Sequence, residues 1–283
     1  MPPLEILKPR SLAEAIGLLA DHGDDARAVA GATAITLLLR QRLIAPRYLV
    51  SLNDLPGLKA IERRDDALHL GALVTHREVE QSRLVQATLP VLASTFGRVG
   101  NIRVRNMATV GGVLAEADYA SDPPCVLLAL NARIETSGPG GDRTIPVADF
   151  FTGFYETALT AGEIVTGVSV PIPPAGARAV YHKYVTRSSE DRPCVGVAAV
   201  AHLDGPTCID LRVAVGAATE TPQRLASAEA LAHGQRLTDG VARAIADRYA
   251  ETLDTLADLR GSAWYRAEMI RVWARRAILE AAA

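Results

Sequence analysis

Two short motifs of small residues are the parts of this sequence best suited to bind an anion. The first follows a short apolar segment and leads into a helix predicted over about residues 33–43, and the second lies about 80 residues later. Glycine places no Cβ between backbone and ligand, and it adopts the left-handed conformations that let successive amides converge on a phosphate. Either motif alone is a common tight turn, so the prediction of a phosphate site depends on the pair. The motifs read Val29-Ala30-Gly31-Ala32-Thr33-Ala34-Ile35 and Thr109-Val110-Gly111-Gly112-Val113.

A polar segment directly follows the second motif. It contains Asp118 and Asp122, and Asp122 stands immediately before Pro123 and Pro124. An acidic residue with proline in the first turn is typical of a helix start, so Asp122 is predicted to be an N-cap. The stretch 101–124 is therefore predicted to let a negatively charged ligand approach the backbone closely.

Composition excludes several classes of partner. The 283 residues include 30 basic and 32 acidic side chains and only 5% aromatic residues, which gives no reason to expect nucleic acid. The sequence has no apolar run of the roughly 20 residues that a membrane span needs. The segment Met1-Pro2-Pro3-Leu4-Glu5 carries no basic region or apolar signal core, so a cytoplasmic location is predicted.

The sequence shows no constellation for catalysis or metal binding. Its three cysteines and six histidines are scattered without metal-ligand spacing, so no metal site is predicted in this chain. It contains no nucleophile elbow, no P-loop lysine and no Gly-x-Gly-x-x-Gly fingerprint. We therefore expect no catalytic residue here, and buried free thiols at the cysteines.

The order of predicted elements indicates an α+β fold in two parts. Capping boxes at Ser11 and Thr75 open helices, with His76 expected in solvent in the first turn of the second one. The proline- and glycine-rich run 171–176 is the clearest linker, which predicts a domain over 1–175 with an internal break near 56–60. Residues 176–283 are predicted to form a small antiparallel sheet followed by helices. The last helix carries basic residues, predicted to be a solvated face or an interface with an acidic partner; they are Arg266, Arg271, Arg275 and Arg276.

With these motifs in view, nearly the whole sequence resembles the FAD-binding medium subunit of the molybdenum hydroxylases, the xanthine dehydrogenase and carbon monoxide dehydrogenase family. Residues 30–33 are similar to the first flavin motif of that family, and 104–112 to the second. The segment 117–122 is similar to the stretch after the second motif, and 258–265 to a characteristic C-terminal Arg-Gly-Ser-x-x-Tyr segment. Each similarity is weak alone, and the four together are specific.

The resemblance implies a PCMH-type FAD-binding domain, with FAD as cofactor and electron transfer as function. It implies a large partner subunit with a molybdenum cofactor, a small partner subunit with [2Fe-2S] clusters, and a dimer of such heterotrimers. Both motifs would donate amides to the FAD pyrophosphate, and Lys183, otherwise expected to be a surface lysine, would reach the flavin. The implied cofactor-binding positions are Val29, Ala30, Gly31, Ala32, Thr33, Ala34, Ile35, Thr109, Gly111, Gly112, Val113, Asp118, Asp122, Val165 and Lys183.

The sequence departs from the family pattern at several positions. Ala32 replaces a glycine, which is tolerable if its φ is negative, and Val113 replaces an asparagine. Glu116 stands where relatives often have histidine. Arg192 stands where the carbon monoxide-oxidising members have an aromatic residue, which argues mildly against carbon monoxide as substrate.

Two other functions stay open at this point. One is a stand-alone flavin oxidoreductase with its own substrate pocket, for which Glu190, Asp191 and Tyr184 are the nearby acid–base candidates. The other is a scaffold that has lost its cofactor, which the departures at Ala32 and Val113 would suggest.

Overall fold

The computed structural model describes residues 4–283. The first three residues of the amino-terminal segment considered above, Met1–Pro3, lie outside the described residues. Among the described residues, the amino-terminal part contains two larger sheets and a small hairpin, and the break near residues 56–60 stays a prediction. The boundary near residue 175 stays a prediction.

The first sheet is parallel, with strand order β1-β3-β2. Its strands are β1 (Glu5–Leu7), β2 (Ala26–Val29) and β3 (Tyr48–Ser51), and its helices are α1 (Leu12–His22) and α2 (Ile35–Arg40). Ser11 caps α1, because its hydroxyl accepts a hydrogen bond from the Glu14 amide at 3.1 Å. The predicted capping box is only half formed, since the Glu14 side chain accepts from the Arg10 amide instead of the Ser11 amide. Helix α2 is shorter than the predicted run 33–43, because residues 31–34 belong to the turn.

The second sheet is antiparallel, in the order β4-β5-β10-β6-β7. The predicted hairpin is present as β4 (Ile61–Arg64) and β5 (Ala67–Gly71). The other strands are β6 (Arg133–Gly138), β7 (Gly141–Pro146) and β10 (Ile164–Pro171), and a small hairpin is formed by β8 (Phe151–Gly153) and β9 (Glu156–Thr157). The helices are α3 (His76–Gln81), α4 (Arg83–Thr88), α5 (Pro90–Gly97), α6 (Ile102–Arg105), α7 (Val110–Glu116), α8 (Asp122–Ala129) and α9 (Val147–Phe150).

The carboxyl-terminal part is an antiparallel sheet with helices, as predicted. Its strands are β11 (Arg178–Tyr184), β12 (Val195–Asp204), β13 (Thr207–Gly216) and β14 (Gln223–Arg224), followed by α10 (Ala226–Glu229), α11 (Asp239–Thr252) and α12 (Ala263–Ala281). One face of the sheet packs on α8, and the other is covered by α11 and α12. The sheet therefore lies between α8 of the amino-terminal part and the helices α11 and α12 of its own part.

Three predicted side-chain placements are wrong. His76 is 1% exposed and packs edge-on against Phe96, because α3 lies against α5. Ser121, not Asp122, occupies the N-cap position of α8, and Asp122 is its first residue. Arg266 is fully buried and so cannot belong to a solvated stripe. The other arginines of the predicted stripe contact residues within the same domain: Arg271 pairs with Asp247, Arg275 with Asp239, and Arg276 lies over Trp273.

No helix within residues 4–283 is long and apolar enough to cross a membrane.

Candidate cofactor-binding site

The first motif forms an open turn between β2 and α2. Within the part of the chain that the structure describes, the backbone amides of Gly31 to Ile35 donate no hydrogen bond. Ala32 has a φ of +57°, so the negative φ that would make alanine tolerable in place of glycine is not met. A left-handed residue in a turn points neighbouring amides towards one place, which is the geometry of an anion-binding nest. The turn therefore presents a run of unpaired donors.

The two motifs lie against each other. A Cβ built on Gly31 would stand only 1.9 Å from the carbonyl oxygen of Met107, two residues before the second motif. Since no side chain fits in that space, the glycine is required for the two backbones to approach. Folding therefore brings both motifs to one place, as predicted from the sequence.

The second motif packs closely against its neighbours, and the backbone amides of its two glycines are already hydrogen-bonded. The amide of Gly111 donates to the Ala72 carbonyl at 2.8 Å, and a Cβ on Gly111 would stand 2.6 Å from the Ala72 Cβ. The amide of Gly112 donates to the Thr109 hydroxyl, the N-cap of α7, at 3.1 Å. The expectation that both motifs donate free amides alike therefore needs correction: the free amides belong to the first motif.

Neighbouring strands and helices hold the second motif in place. Thr75 forms an isolated antiparallel bridge with Thr109, and the capping box that Thr75 makes with Glu78 is present as predicted. The Ala72 amide donates to the Thr166 carbonyl at 2.9 Å, which ties the motif to β10. Val165, next to Thr166, is buried with its side chain in the core. Val113 packs, partly buried, against the same core.

Asp122 and Lys183 form a buried ion pair at 3.0 Å, although the sequence placed both against a cofactor. Their side chains are 4% and 5% exposed, so Lys183 is not a surface lysine. Tyr181 donates to the other Asp122 oxygen at 2.7 Å, and Lys183 also donates to the Arg98 carbonyl at 2.8 Å. Burial raises the pKa of Asp122 above its ordinary value, although Lys183 and the Tyr181 hydrogen bond oppose that shift. The pair joins β11 to α8.

Asp118 lies in a second polar cluster. Arg192 pairs with it at 2.5 Å, and the Tyr155 hydroxyl is 3.4 Å away. Burial and the Asp118 charge raise the pKa of Glu116. Arg192 therefore places a positive charge directly beside Asp118.

A third cluster joins the C-terminal motif to the segment 117–121. Asp258 accepts hydrogen bonds from the Tyr119 hydroxyl at 2.8 Å and from Arg260 Nη1 at 2.6 Å. The fully buried Arg266 donates to the other Asp258 oxygen at 2.5 Å. Burial raises the pKa of Asp258, but hydrogen bonds from the Arg260 backbone amide, Tyr119 and Arg266 outweigh it and bring the value down to about 2.

Comparison with known proteins agrees with this architecture. Residues 2–173 match the family model "FAD binding domain in molybdopterin dehydrogenase", and residues 180–281 match "CO dehydrogenase flavoprotein C-terminal domain". The chain is 34% identical over 283 residues to the nicotine 6-hydroxylase medium subunit of Paenarthrobacter nicotinovorans, covering 100% of this chain and 99% of that protein. It is 32% identical over 281 residues to the glyceraldehyde dehydrogenase medium chain of Sulfolobus acidocaldarius, covering 99% of each.

A solved structure of carbon monoxide dehydrogenase from Hydrogenophaga pseudoflava, which lacks the Mo-pyranopterin moiety, superposes with a TM-score of 0.95. The identity is 33%, and the match covers 99% of this chain and 97% of that one. This chain belongs to the FAD-binding subunit family of the molybdenum hydroxylases. The family resemblance, the α+β fold class and FAD as cofactor, all predicted from the sequence, are confirmed.

The residues of this family member fit a bound FAD. The diphosphate of FAD is anionic, and the unpaired amides of Gly31 to Ile35 are donors without a competing partner. Bulky side chains do not fill the turn, since its residues are alanine, glycine and threonine up to Ile35.

Three residues make contacts near the site that the sequence patterns did not predict. Tyr181 and Arg98 complete the surroundings of the buried pair, and Asp258 holds Tyr119. Tyr181 had a local signal, because it lies two residues before Lys183 on the same face of a strand. Arg98 had none, and Asp258, although it opens the C-terminal motif 258–265, gave no indication of its partner, since both partners lie more than 80 residues away in the chain.

Proposed function

We propose that this chain transfers electrons, through FAD, from iron–sulfur clusters of a small partner subunit to an external acceptor. A large partner subunit with a molybdenum cofactor would hydroxylate the substrate. Relatives of this chain are named as medium chains or subunits, which supports a multi-subunit complex. We further propose a dimer of heterotrimers and a cytoplasmic location.

The cofactor-binding role is carried by the open turn of the first motif. FAD supplies the redox chemistry, and the protein supplies position and electrostatics. The amides of Gly31 to Ile35 would hold the diphosphate, with Gly112 beside them. Val29 and Ala30 would lead into the turn, Thr109 would fix the start of α7, and Val113 and Val165 would form the wall. Asp118, Asp122 and Lys183 would line the far side.

The buried pair changes the expected role of Lys183. An isolated ammonium near a flavin would favour a negatively charged cofactor electrostatically. Because Asp122 neutralises Lys183 at 3.0 Å, the two side chains together carry no net charge. We therefore propose that the pair mainly sets the position of α8 against β11.

The substrate is proposed to be chosen by the large subunit. Relatives with similar identity to this chain are named after glyceraldehyde, nicotine and carbon monoxide. That range of substrates favours a medium subunit that does not select the hydroxylated substrate.

A stand-alone oxidoreductase finds no support in the acid–base candidates. The Tyr184 hydroxyl is hydrogen-bonded to that of Tyr265 at 2.5 Å, and this contact raises the pKa of Tyr184 to about 12. Asp191 accepts a hydrogen bond from the Ser188 amide in its own loop. Co-purification of two further subunits from the native host would support the electron-transfer subunit, and a single active polypeptide would contradict it.

The cofactor site is tested by two substitutions at Gly112. A Cβ at this position would stand 2.8 Å from the Thr109 hydroxyl, so both Gly112→Ala and Gly112→Asp disturb the cap of α7. Only Gly112→Asp adds a negative charge beside the proposed diphosphate. We expect Gly112→Asp to be folded and free of flavin, and Gly112→Ala to keep most of its visible flavin absorbance. Full flavin content in Gly112→Asp would refute the proposed site.

A further inference from the structure

The segment 117–122, which ends in the first residue of α8, is bound by side chains from the other part of the chain. Three of its polar residues, Asp118, Tyr119 and Asp122, are bound by Arg192, Asp258 and Lys183 respectively. All three partners lie after residue 176. The segment also contains Ala117, whose φ of +49° costs a residue with a Cβ about 1–2 kcal/mol. The carboxyl-terminal part therefore holds a segment that belongs to the flavin-binding part, alongside Phe154 and Tyr155.

Asp258 is the most firmly anchored of these three partners. Its turn is closed by hydrogen bonds in both directions between Asp258 and Gly261. Its carboxylate accepts from Arg266, whose guanidinium is fully buried and also donates to the Cys194 carbonyl at 2.6 Å. The interior of the carboxyl-terminal part thus fixes the position of the Asp258 carboxylate.

Tyr119, in the flavin-binding part of the chain, contacts the fixed carboxylate of Asp258. Its hydroxyl donates to Asp258, and Arg260 lies over its ring with the guanidinium carbon 5.8 Å from the ring centre. Phe154 and Tyr155 contact the same ring edge-on. Asp118 and Asp122, which flank Tyr119, are both proposed to line the cofactor site.

We infer that Asp258 is a positioning residue for flavin binding: through Tyr119 it pre-forms the segment 117–122 that lines the cofactor site. This inference depends on the proposed function, because it requires Asp118 and Asp122 to face the cofactor. If the segment were free, FAD binding would have to order it, and that lost conformational freedom would weaken affinity. Because Arg266 holds Asp258 and is fully buried in the carboxyl-terminal part, flavin affinity would also depend on the packing of that part.

Two variants test the inference, each with a matched control. Tyr119→Phe removes the hydroxyl that donates to Asp258 and accepts from Arg260 at 3.0 Å, and Asp258→Asn removes the charge that holds Arg260 and Arg266. Tyr48→Phe is the control for the first, since the Tyr48 ring stacks on His22 and its hydroxyl makes no hydrogen bond among the described residues. Glu229→Gln is the control for the second, because this buried carboxylate pairs with Arg224 on the far side of the sheet.

The readouts are the FAD dissociation constant of the full chain, visible circular dichroism of the saturated flavin, and thermal unfolding of the flavin-free chain. We expect Tyr119→Phe to weaken FAD binding roughly tenfold, the factor that corresponds to about 1.4 kcal/mol, with a changed flavin dichroism. Asp258→Asn should weaken it at least as much. The two controls should stay within about twofold of the parent chain, whatever they do to thermal stability.

A parent-like dissociation constant and dichroism in Tyr119→Phe would overturn the inference. So would a rise in the dissociation constant that follows the loss of thermal stability equally in all four variants, since that is the behaviour of a purely structural contact. If Gly112→Asp loses flavin while Tyr119→Phe keeps it, only this inference fails. If Gly112→Asp keeps full flavin, the proposed cofactor site itself fails.

Discussion

Replacement of Lys183 by methionine tests the buried ion pair. Methionine keeps the length and the apolar part of the side chain but removes the ammonium 3.0 Å from the Asp122 carboxylate. At an effective dielectric constant of about 20, two unit charges at that distance attract by about 5.5 kcal/mol. Measured losses on removing one partner of a buried pair are about 3–5 kcal/mol, because the remaining charge is left without compensation.

The loss should depend on pH, because Asp122 can become neutral. Burial already raises the pKa of Asp122, and removing Lys183 raises it further. A carboxyl group whose folded pKa lies above its unfolded value stabilises the fold at low pH and loses that contribution as pH rises. We therefore expect Lys183→Met to cost about 3–5 kcal/mol at pH 8 and clearly less at pH 5.

Calorimetry of the flavin-free chain is the appropriate assay, since it shows whether one or two transitions move. Lys59→Met is the matched control: Lys59 pairs with Glu78 at 3.2 Å, but both side chains are well exposed, at 60% and 42%. That control should cost at most about 1 kcal/mol. The double variant Lys183→Met with Asp122→Asn should recover most of the lost stability. Equal losses for Lys183→Met and Lys59→Met at pH 8 would refute the reasoning.

Three further substitutions test other parts of the account. Gly31→Ala should destabilise the flavin-free chain by about 3 kcal/mol or more in chemical unfolding, because its Cβ would overlap the Met107 carbonyl. Gly17→Ala, in a helix with open space around the position, should instead stabilise it by about 0.5–1 kcal/mol, and equal effects would contradict the packing argument. His76→Leu should flatten the pH dependence of stability: burial lowers the pKa of His76 from 6.5 to about 4, so the parent chain loses roughly 3 kcal/mol as pH falls through that window. Unfolding curves at pH 7 and pH 4.5 that shift in parallel for parent and variant would exclude this role. Ala32→Gly should raise the melting temperature, because glycine removes about 1–2 kcal/mol of left-handed strain from the folded state. The greater conformational freedom of glycine in the unfolded chain offsets part of that gain. A lower melting temperature would show that the turn is not strained.

Local rules predicted the local features of this molecule. The hairpin of β4 and β5, the capping box at Thr75 and the antiparallel strands after the linker all follow from short patterns of residues. The proximity of the two motifs was also expected, although the reason for it, the contact of Gly31 with Met107, is visible only in the structure.

The rest depended on contacts between distant residues. Asp122 and Lys183 are 61 residues apart, and Tyr119 and Asp258 are 139 apart, so no helical or strand spacing relates them. His76 stands in a first helical turn, which is commonly exposed, and only the packing of α3 on α5 buries it. Arg266 follows the basic pattern of its helix, yet it turns inward, where its two terminal nitrogens donate to Asp258 and to two carbonyl groups.

Amide hydrogen exchange with and without FAD tests the central claim most directly. In the flavin-free chain, the amides of Gly31 to Ile35 should exchange fast, because they donate no hydrogen bond within the described residues, while the Gly111 amide is already protected by the Ala72 carbonyl. Added FAD should strongly protect Gly31 to Ile35 and change Gly111 little. Exchange in the first motif that is unchanged by FAD, with protection appearing elsewhere, would contradict the claim that these main-chain amides hold the diphosphate.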